Sequence, residues 1–590
     1  MTTARIKALR EALAAEGYAG WIQPRADEFQ GEYVPPSADR LAWLTGFTGS
    51  AGISVVLQKK AAVFSDGRYT LQLTQETDPD IFETHHSIEA PANEWVATNL
   101  AKGDVLAYDP WLLTPGEVKK FKEAVAKAGG SLAAAPQNLV DAVWADRPAP
   151  PQAPITPHPL EYAGEASTDK RTRLAADLAG KGLDAALLTA PDGVAWLLNV
   201  RGGDVDHTPL PLSFAILGAD AGVSWFVDAA KLDGGVREWV GNQVDIQSFE
   251  QFPTALEAFK GKRLLVPRSA PAASSQILEA NGAETISGDD PTSLPKARKN
   301  AAEIAGTRAA HLRDAVAIAR FLYWLDREAQ AGGVTELQAS DQLEAYRREL
   351  EGFRDLSFPT ISGAGPNGAI VHYRVTPESD RELEPGSLYL VDSGGQFVDG
   401  TTDITRTIAI GAPTDEMRRA YTLVLKGHLA LSAAKFPKGA TGAQLDSLAR
   451  APLWAAGLDF DHGTGHGVGS YLSVHEGPQR ISKAGSAVLE PGMILSNEPG
   501  YYKTDAFGIR IENLILMEPV DIFGGERAFL GFETLTFAPY DRRLIDSGLL
   551  SNEEKSQVNA YHAQVKALVG PQLPAAVAKW LTAATLPLET

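Results

Sequence analysis

The sequence predicts an α/β and α+β protein: two similar N-terminal α/β domains, then a third, mixed domain ending in a helical tail. Three observations carry this. At 590 residues the chain exceeds what one hydrophobic core supports, so three or four domains are expected. An internal repeat aligns Leu9, Leu13 and Gly17 with Leu174, Leu178 and Gly182 at identical spacing, and each set reads as a helix ending in glycine. Between the copies, Pro148, Pro150, Pro151, Pro154, Pro157 and Pro159 exclude regular helix or a central strand and mark a linker.

Each repeated helix is followed by an apolar, strand-like run. Beyond it Ala42-Trp43-Leu44 matches Ala195-Trp196-Leu197 once an insertion in the first copy is allowed, and Val63-Phe64-Ser65-Asp66 resembles Trp225-Phe226-Val227-Asp228. Two copies mean a pair of domains rather than a solenoid, whose repeats are shorter and more numerous. The predicted boundaries are 1–155, 156–296 and 297–590. A break at Asp289-Asp290-Pro291 to Pro295 precedes a long helical pattern from about Asn300 to Gln330. After these opening helices, short strands alternate with glycine-rich turns from Ser357 to Pro519. The extension from about residue 545 to 590 carries a capping box at Ser551-Asn552-Glu553-Glu554, a helix through about Leu568, and an apolar stretch from Ala575 to Leu586. Such a tail either docks on its own domain or joins a second copy.

With 44% apolar and 22% charged residues the chain is globular in composition. A net charge of -20 repels phosphate backbones, which removes nucleic acid as a partner and otherwise means a solvated acidic surface. The absence of cysteine excludes disulfides, thiolate metal sites and a cysteine nucleophile. The first residues lack a signal-peptide apolar core, and no run reaches the ~18 apolar residues of a membrane span. No membrane association and a cytoplasmic location are the expectation.

Chemistry concentrates in the third domain. Asp392 closes the apolar run Leu388-Tyr389-Leu390-Val391 ahead of a Ser-Gly-Gly turn, and function gathers at such ends. In Thr401 to Ile410, period-2 alternation sets Ile404, Ile408 and Ile410 on one face and Asp403 on the other. An aspartate in a strand needs a partner, and a metal ion is one; taken singly, each Asp is more often a turn or capping residue. His462-Gly463-Thr464-Gly465-His466-Gly467-Val468-Gly469 carries too much glycine for a helix and reads as a turn or irregular strand. His475 follows closely, and three histidines in 14 positions favour chemistry over three separate structural residues. Glu498 stands in Asn497-Glu498-Pro499-Gly500. In Gly508 to Leu516, alternation buries Ile509 and Ile511 and sets Arg510 beside Glu512, where it would orient that carboxylate unless the two form an ordinary exposed ion pair.

Together Asp392, Asp403, His466, Glu498 and Glu512 offer four carboxylates and one imidazole, the ligand set of a hard two-cation site. Clustered empty, four carboxylates repel one another, whereas two divalent ions cancel their charge. Oxygen-rich ligands without thiolate favour Mn²⁺, with Zn²⁺ or Co²⁺ as alternatives. Two such ions roughly 3.5 to 4 Å apart could share a hydroxide nucleophile.

At these residues the sequence resembles the creatinase-like, or pita-bread, metallopeptidases, and among them the three-domain aminopeptidase P enzymes. The resemblance spans essentially the whole chain, from Trp43-Leu44-Thr45-Gly46-Phe47-Thr48-Gly49-Ser50-Ala51-Gly52 through Ser357-Phe358-Pro359-Thr360-Ile361-Ser362-Gly363, Val371-His372-Tyr373, Asp392-Ser393-Gly394 and the His462–Gly469 run to Glu498-Pro499-Gly500-Tyr501. It implies hydrolysis that releases the first residue of peptides with proline second. It implies that Asp392 is a bidentate ligand of one metal, Asp403 and Glu512 bridge both, and His466 and Glu498 bind the other. Glu498 is then also the proton acceptor, and His372 and His475 hold the substrate carbonyl and the charged tetrahedral intermediate. His462 matches a histidine beside the proline pocket. Arg510, counted with the substrate-binding residues, matches an arginine that supports the ligands. A homodimer is implied too, with Leu568, Trp580 and Leu581 as apolar candidates for its interface.

Two rivals remain: a prolidase, which has the same fold but one N-terminal domain and accepts only dipeptides, and a binding protein that has lost the metals. The duplicated N-terminal half argues against the first, and the intact ligand set against the second. Within the site, the missing side chains of the His462–Gly469 glycines are expected to leave room for a pyrrolidine ring.

Overall fold

The computed structural model describes residues 2–589. Among these, residues 2–160 with Glu165–Ser293 form one compact unit, and Glu161–Gly164 with 294–589 another.

The first unit contains two six-stranded sheets. One is built from β1 (Gly20–Pro24), β2 (Ile53–Leu57), β3 (Ala61–Ser65), β4 (Glu83–His86), β5 (Val105–Tyr108) and β6 (Ser131–Ala134), in the order β4-β3-β2-β1-β5-β6. The other uses β7 (Ala185–Leu188), β8 (Phe214–Gly218), β9 (Val223–Phe226), β10 (Val244–Gln247), β11 (Arg263–Pro267) and β12 (Glu284–Gly288), in the order β10-β9-β8-β7-β11-β12. Shifted by six, the two orders are the same. So are the pairing directions: β1 and β7 run antiparallel to β2 and β8 respectively and parallel to β5 and β11.

The repeat extends to single hydrogen bonds. The helices Thr2–Ala15 and Ser167–Gly180 bury Leu9, Leu13, Leu174 and Leu178. Each is followed by a left-handed glycine, Gly17 (φ 75°) or Gly182 (φ 67°), and closed by Tyr18 N–H to Leu13 O (2.9 Å) or Leu183 N–H to Leu178 O (3.0 Å). The proline-rich linker is irregular as far as Ile155, but Thr156–Pro157 then pairs antiparallel with Val200–Arg201. Proline tolerates this because a two-residue strand asks for few backbone donors.

In the second unit, Asn300 and Glu303 form a capping box that starts the helix Ala301–Glu328. Its Ile318, Phe321, Leu322 and Leu325 pack on Ile404, Ile408 and Ile410, the apolar face that alternation predicts. These isoleucines belong to β15 (Ile404–Ile410), which with β13 (Ile361–Ala364) and β14 (Ser387–Ser393) makes a three-stranded antiparallel sheet. A six-stranded antiparallel sheet follows, in the order Phe436–Pro437, Phe529–Thr534, Asn513–Val520, Ile494–Asn497, Gly465–Gly467, Glu476–Ile481.

The expected succession of strands and turns between Ser357 and Pro519 is interrupted by two helices, Asp415–Ser432 and Gly442–Trp454. Local signals exist for the first: Thr414 caps it, acids fill its first turn, and Ala420, Val424 and Leu425 recur at helical spacing. The tail forms Asn552–Val569, capped by Ser551 and Glu554, and Ala575–Ala584. Val565, Val569, Val577 and Leu581 join one core with Tyr421 and Val424, while the Trp580 indole donates to Asp326 (3.2 Å). Leu581 and Trp580 are therefore used within their own domain, and of the proposed interface residues Leu568 is the exposed one. No helix among the described residues is long and apolar enough to cross a membrane.

Candidate metal centre

Four strand ends and one short strand carry the candidate ligands. Asp392 lies near the end of β14 and pairs with Thr405 of β15, so Asp403, just ahead of β15, is brought alongside it. His466 sits in the three-residue strand Gly465–Gly467. Glu498 follows the strand Ile494–Asn497, and Glu512 precedes Asn513–Val520. Backbone bonds fix both glutamates in place: Glu498 N–H donates to Thr464 O (2.8 Å) and Glu512 N–H to Thr405 O (3.1 Å).

The side chains then meet. Ligand atoms of Asp403, His466 and Glu512 all lie within 4.8 Å of one another. His466 Nε2 is 3.5 Å from Asp403 Oδ2 and 3.6 Å from Glu498 Oε1. Its Nδ1 is 2.9 Å from Gly467 O, which can only accept, so the proton resides on Nδ1 and Nε2 keeps its lone pair for a cation. Ser496 ties the two halves together, accepting from His466 N–H (2.9 Å) and donating to Glu498 Oε1 (3.2 Å).

Asp392 Oδ1, Asp403 Oδ1 and Glu512 Oε1 are buried oxygens with no hydrogen-bond donor. Three such oxygens in one pocket are costly unless a cation or proton meets them. Without a cation the electrostatics favour protons: burial, then the Asp392 and Glu498 charges, push the Asp403 carboxyl well above its ordinary range. Burial, Asp403, Asp392 and Glu498 do the same to Glu512. Divalent cations would reverse this by offsetting the carboxylate charge, so the donor set fits them.

Arg510, expected beside Glu512, has Asp392 as its direct carboxylate partner. It is buried and donates to Asp392 Oδ2 (2.7 Å), to the Tyr502 hydroxyl (2.6 Å) and to Thr405 Oγ1 (3.2 Å). Thr405 in turn donates to Glu512 Oε2 (2.8 Å), so the arginine fixes Asp392 directly and Glu512 through a threonine. Alternation placed Arg510 on the correct face but could not show which carboxylate lies across the sheet.

Tyr502, unassigned from sequence, links Arg510 to His462, whose Nε2 lies 2.7 Å from the tyrosine oxygen. With Nδ1 on Gly463 O (2.7 Å), both ring nitrogens of His462 are engaged, and the ring packs against Phe460 at 4.8 Å between centroids. His475 lies edge-on to His466, ring centroids 4.2 Å apart. Its neighbour Glu476 is buried between Lys296 (2.7 Å) and Lys299. His372 is half-buried in the turn after Gly365–Ala369, beside Tyr373, whose hydroxyl donates to buried Glu336 (2.9 Å).

Gly465 and Gly467 do not leave open space, whereas a Cβ on Gly463 would meet nothing closer than 3.5 Å. A Cβ on Gly465 would lie 1.9 Å from Ser496 O, and one on Gly467 would meet Glu476 O at 2.4 Å. They let the His466 strand fit between its neighbours, and the room is filled by the Ser496 and Glu476 backbone and the Gln479 side chain.

A carboxylate-dominated cluster at strand ends, in a mixed domain preceded by two like α/β domains, defines a metallopeptidase of creatinase-like architecture. Residues 305–519 match metallopeptidase family M24, 5–142 and 146–303 each match the creatinase/prolidase N-terminal domain, and 528–588 match the C-terminal region of peptidase M24. A probable Xaa-Pro aminopeptidase P of Paracoccidioides brasiliensis (strain Pb03) is 40% identical over 587 residues, 96% of this chain and 95% of the relative. Aminopeptidase P2 of Arabidopsis thaliana is 39% identical over 97% of this chain and 86% of its own length. The X-prolyl aminopeptidase of Caenorhabditis elegans, described as a cytosolic enzyme with a di-nuclear active site, superimposes with a TM-score of 0.96 at 32% identity over 100% of both chains. A Xaa-Pro dipeptidase from Bacillus anthracis covers 99% of itself but 64% of this chain, with a TM-score of 0.52 at 25% identity. The chain belongs to the aminopeptidase P family of M24 metallopeptidases.

Proposed function

We propose that this chain is a Xaa-Pro aminopeptidase that uses two divalent cations, held by Asp392, Asp403, His466, Glu498 and Glu512, to release the first residue of peptides with proline second. The observation that carries the reading is the set of buried, donorless oxygens on Asp392, Asp403 and Glu512, with ligand atoms of Asp403 and Glu512 within 4.8 Å of one on His466. When bound, the cations would offset the carboxylate charge, activate water and polarise the scissile carbonyl.

The protein's own groups divide the remaining work. Glu498 is the proton acceptor, a role supported by exposure: its side chain is 18% exposed, against 11% for Asp392 and 5% for Asp403. It can collect a proton from the attacking water and pass it to the departing proline nitrogen. His372 and His475 hold the carbonyl oxygen as it gains charge. His462, its nitrogens already bonded, packs against the pyrrolidine ring, and Arg510 acts from behind the ligands by fixing Asp392.

Oxygen-rich ligands favour Mn²⁺ over Zn²⁺ or Co²⁺. A cytoplasmic location belongs to the same reading, supported by the cysteine-free chain and the cytosolic worm enzyme it is similar to. So does a homodimer, for which the tail leaves Leu568 exposed. The prolidase alternative loses support because the dipeptidase accounts for about two thirds of this chain. Elemental analysis of purified protein tests the metal reading, with two equivalents of metal per chain expected. Chelation should abolish cleavage of Arg-Pro-Pro and Mn²⁺ should restore it; full activity in metal-free protein would refute the proposal.

A further inference from the structure

We propose that His428 is a positioning residue for the metal centre: from the middle of the helix Asp415–Ser432, its imidazole ties the segment carrying Glu498 to the segment carrying Glu512. This rests on the two-cation reading above.

Asn497 and Asn513 stand opposite each other in the pairing of Ile494–Asn497 with Asn513–Val520. They form the last pair of that ladder. Next to it Glu498 and Glu512 lie opposite each other in an interruption of the strand pairing, which resumes beyond them with Ile511 N–H to Pro499 O (3.3 Å) and Gly500 opposite Arg510. His428 contacts both members of the asparagine pair on the near side of that interruption. Its Nδ1 is 3.1 Å from Asn497 O, and its Nε2 is 3.3 Å from Asn513 Nδ2. Asn497 Nδ2 returns bonds to His428 O (3.0 Å) and Ser432 Oγ (2.9 Å), fastening the same residue to the helix.

The surrounding donors fix the ring's tautomer. Arg406 can only donate, and its Nη2 gives a bond to Asn513 Oδ1 (2.8 Å), which turns Asn513 Nδ2 towards the imidazole. Nε2 must therefore accept. Asn497 O can only accept as well, so Nδ1 must carry the proton. The ring is fully buried, and Tyr540 lies edge-on at 5.8 Å. Burial, followed by the Arg406 charge, pushes the imidazole down to about 3, which keeps it neutral and the bond directions constant through the working pH range. Arg406 also donates to Glu512 O (2.6 Å), so one chain of bonds runs from Glu512 through Arg406, Asn513 and His428 to Asn497, the neighbour of Glu498. A phenylalanine would fill the same volume and supply neither bond.

The test is Mn²⁺ titration of metal-free protein by calorimetry, with thermal stability measured on the same samples. His428→Phe should weaken Mn²⁺ binding about 10- to 100-fold, the range for groups that orient metal ligands. His428→Asn keeps a donor near the Nδ1 position and His428→Gln an acceptor near Nε2, so each should lose less than the phenylalanine variant. A lower Tm with unchanged Mn²⁺ affinity would make His428 a core residue only and overturn the inference. Should His428→Phe fail to fold, the amide variants decide: weaker binding in at least one supports it, and wild-type affinity in both overturns it. A wild-type protein that binds no Mn²⁺ overturns the two-cation reading and this inference with it, whereas normal wild-type binding with unaltered variants overturns this inference alone.

Discussion

Asp403→Asn should stabilise the protein without metal and disable it with metal. The reason lies in the charge of the cluster. Asp392, Asp403, Glu498 and Glu512 can together carry four negative charges, while Arg510 donates directly to one of them, Asp392. Burial and these like charges raise the folded-state pKa of Asp403 and of Glu512. The metal-free native state thus binds more protons than the unfolded chain above the ordinary carboxylate range. The stability linked to those protons is fully present below the unfolded pKa and is lost as pH rises through the raised folded value. Asparagine keeps the shape and removes the ionisation. One buried, partnerless carboxylate oxygen is worth about 1–3 kcal/mol or more when charged, and each kcal/mol moves a midpoint by about 2–4 °C in a domain of 150–250 residues. Thermal melts of EDTA-treated, dialysed protein at pH 5 and pH 8 read the effect. The variant should melt several degrees above wild type at pH 8, with a smaller gap at pH 5. Adding Mn²⁺ should reverse the order, because wild type gains binding energy that the variant lacks. A variant no more stable than wild type at pH 8, or one that keeps two metals and full activity, would refute the reasoning.

Other changes follow from single contacts. Arg510→Lys keeps the charge but cannot reach Asp392, Tyr502 and Thr405 together, so kcat should fall at least ~10-fold with looser Mn²⁺ binding; wild-type kinetics would contradict this. Glu336 is buried and accepts from Ala364 N (2.6 Å), Asn367 Nδ2 (3.0 Å), the Tyr373 hydroxyl (2.9 Å) and Arg381 N (3.1 Å). Glu336→Ala should therefore cost about 3 kcal/mol and lower the melting midpoint by leaving these donors unpaired, and an unchanged midpoint would speak against it. Trp580→Ala should leave the light-scattering mass unchanged, since that indole packs on Tyr323 and Asp326 of its own domain; conversion of a dimer to monomer would return the tail to the interface.

Repeats and ligands were the legible parts of this molecule. Leu9, Leu13 and Gly17 could be matched to Leu174, Leu178 and Gly182 because helix periodicity and a left-handed glycine leave a local signature in sequence. Asp392, Asp403, His466, Glu498 and Glu512 could be gathered because carboxylates in apolar strands are rare without a partner. Contacts between segments distant in sequence were hidden. The Arg510–Asp392 pair spans 118 residues, and alternation fixes a face but not the neighbour across the sheet. The close approach of Gly465 to Ser496 O is likewise a contact between distant segments that local spacing does not show. His428 had no signal at all: within Leu425-Lys426-Gly427-His428-Leu429 it looks like any helix residue, and its partners lie 69 and 85 positions away.

The most direct measurement compares three peptides on Mn²⁺-loaded enzyme: Arg-Pro-Pro, Arg-Ala-Ala and N-acetylated Arg-Pro-Pro. Proline in second place turns the scissile bond into a tertiary amide without N–H and fixes φ near −65°, so a site made for it must accept a ring where other peptidases need a donor. Arg-Pro-Pro should lose its arginine, Arg-Ala-Ala should be nearly inert, and acetylation should stop cleavage by removing the free α-amine. Equal hydrolysis of Arg-Ala-Ala and Arg-Pro-Pro, or undiminished cleavage of the acetylated peptide, would contradict the assignment as a Xaa-Pro aminopeptidase.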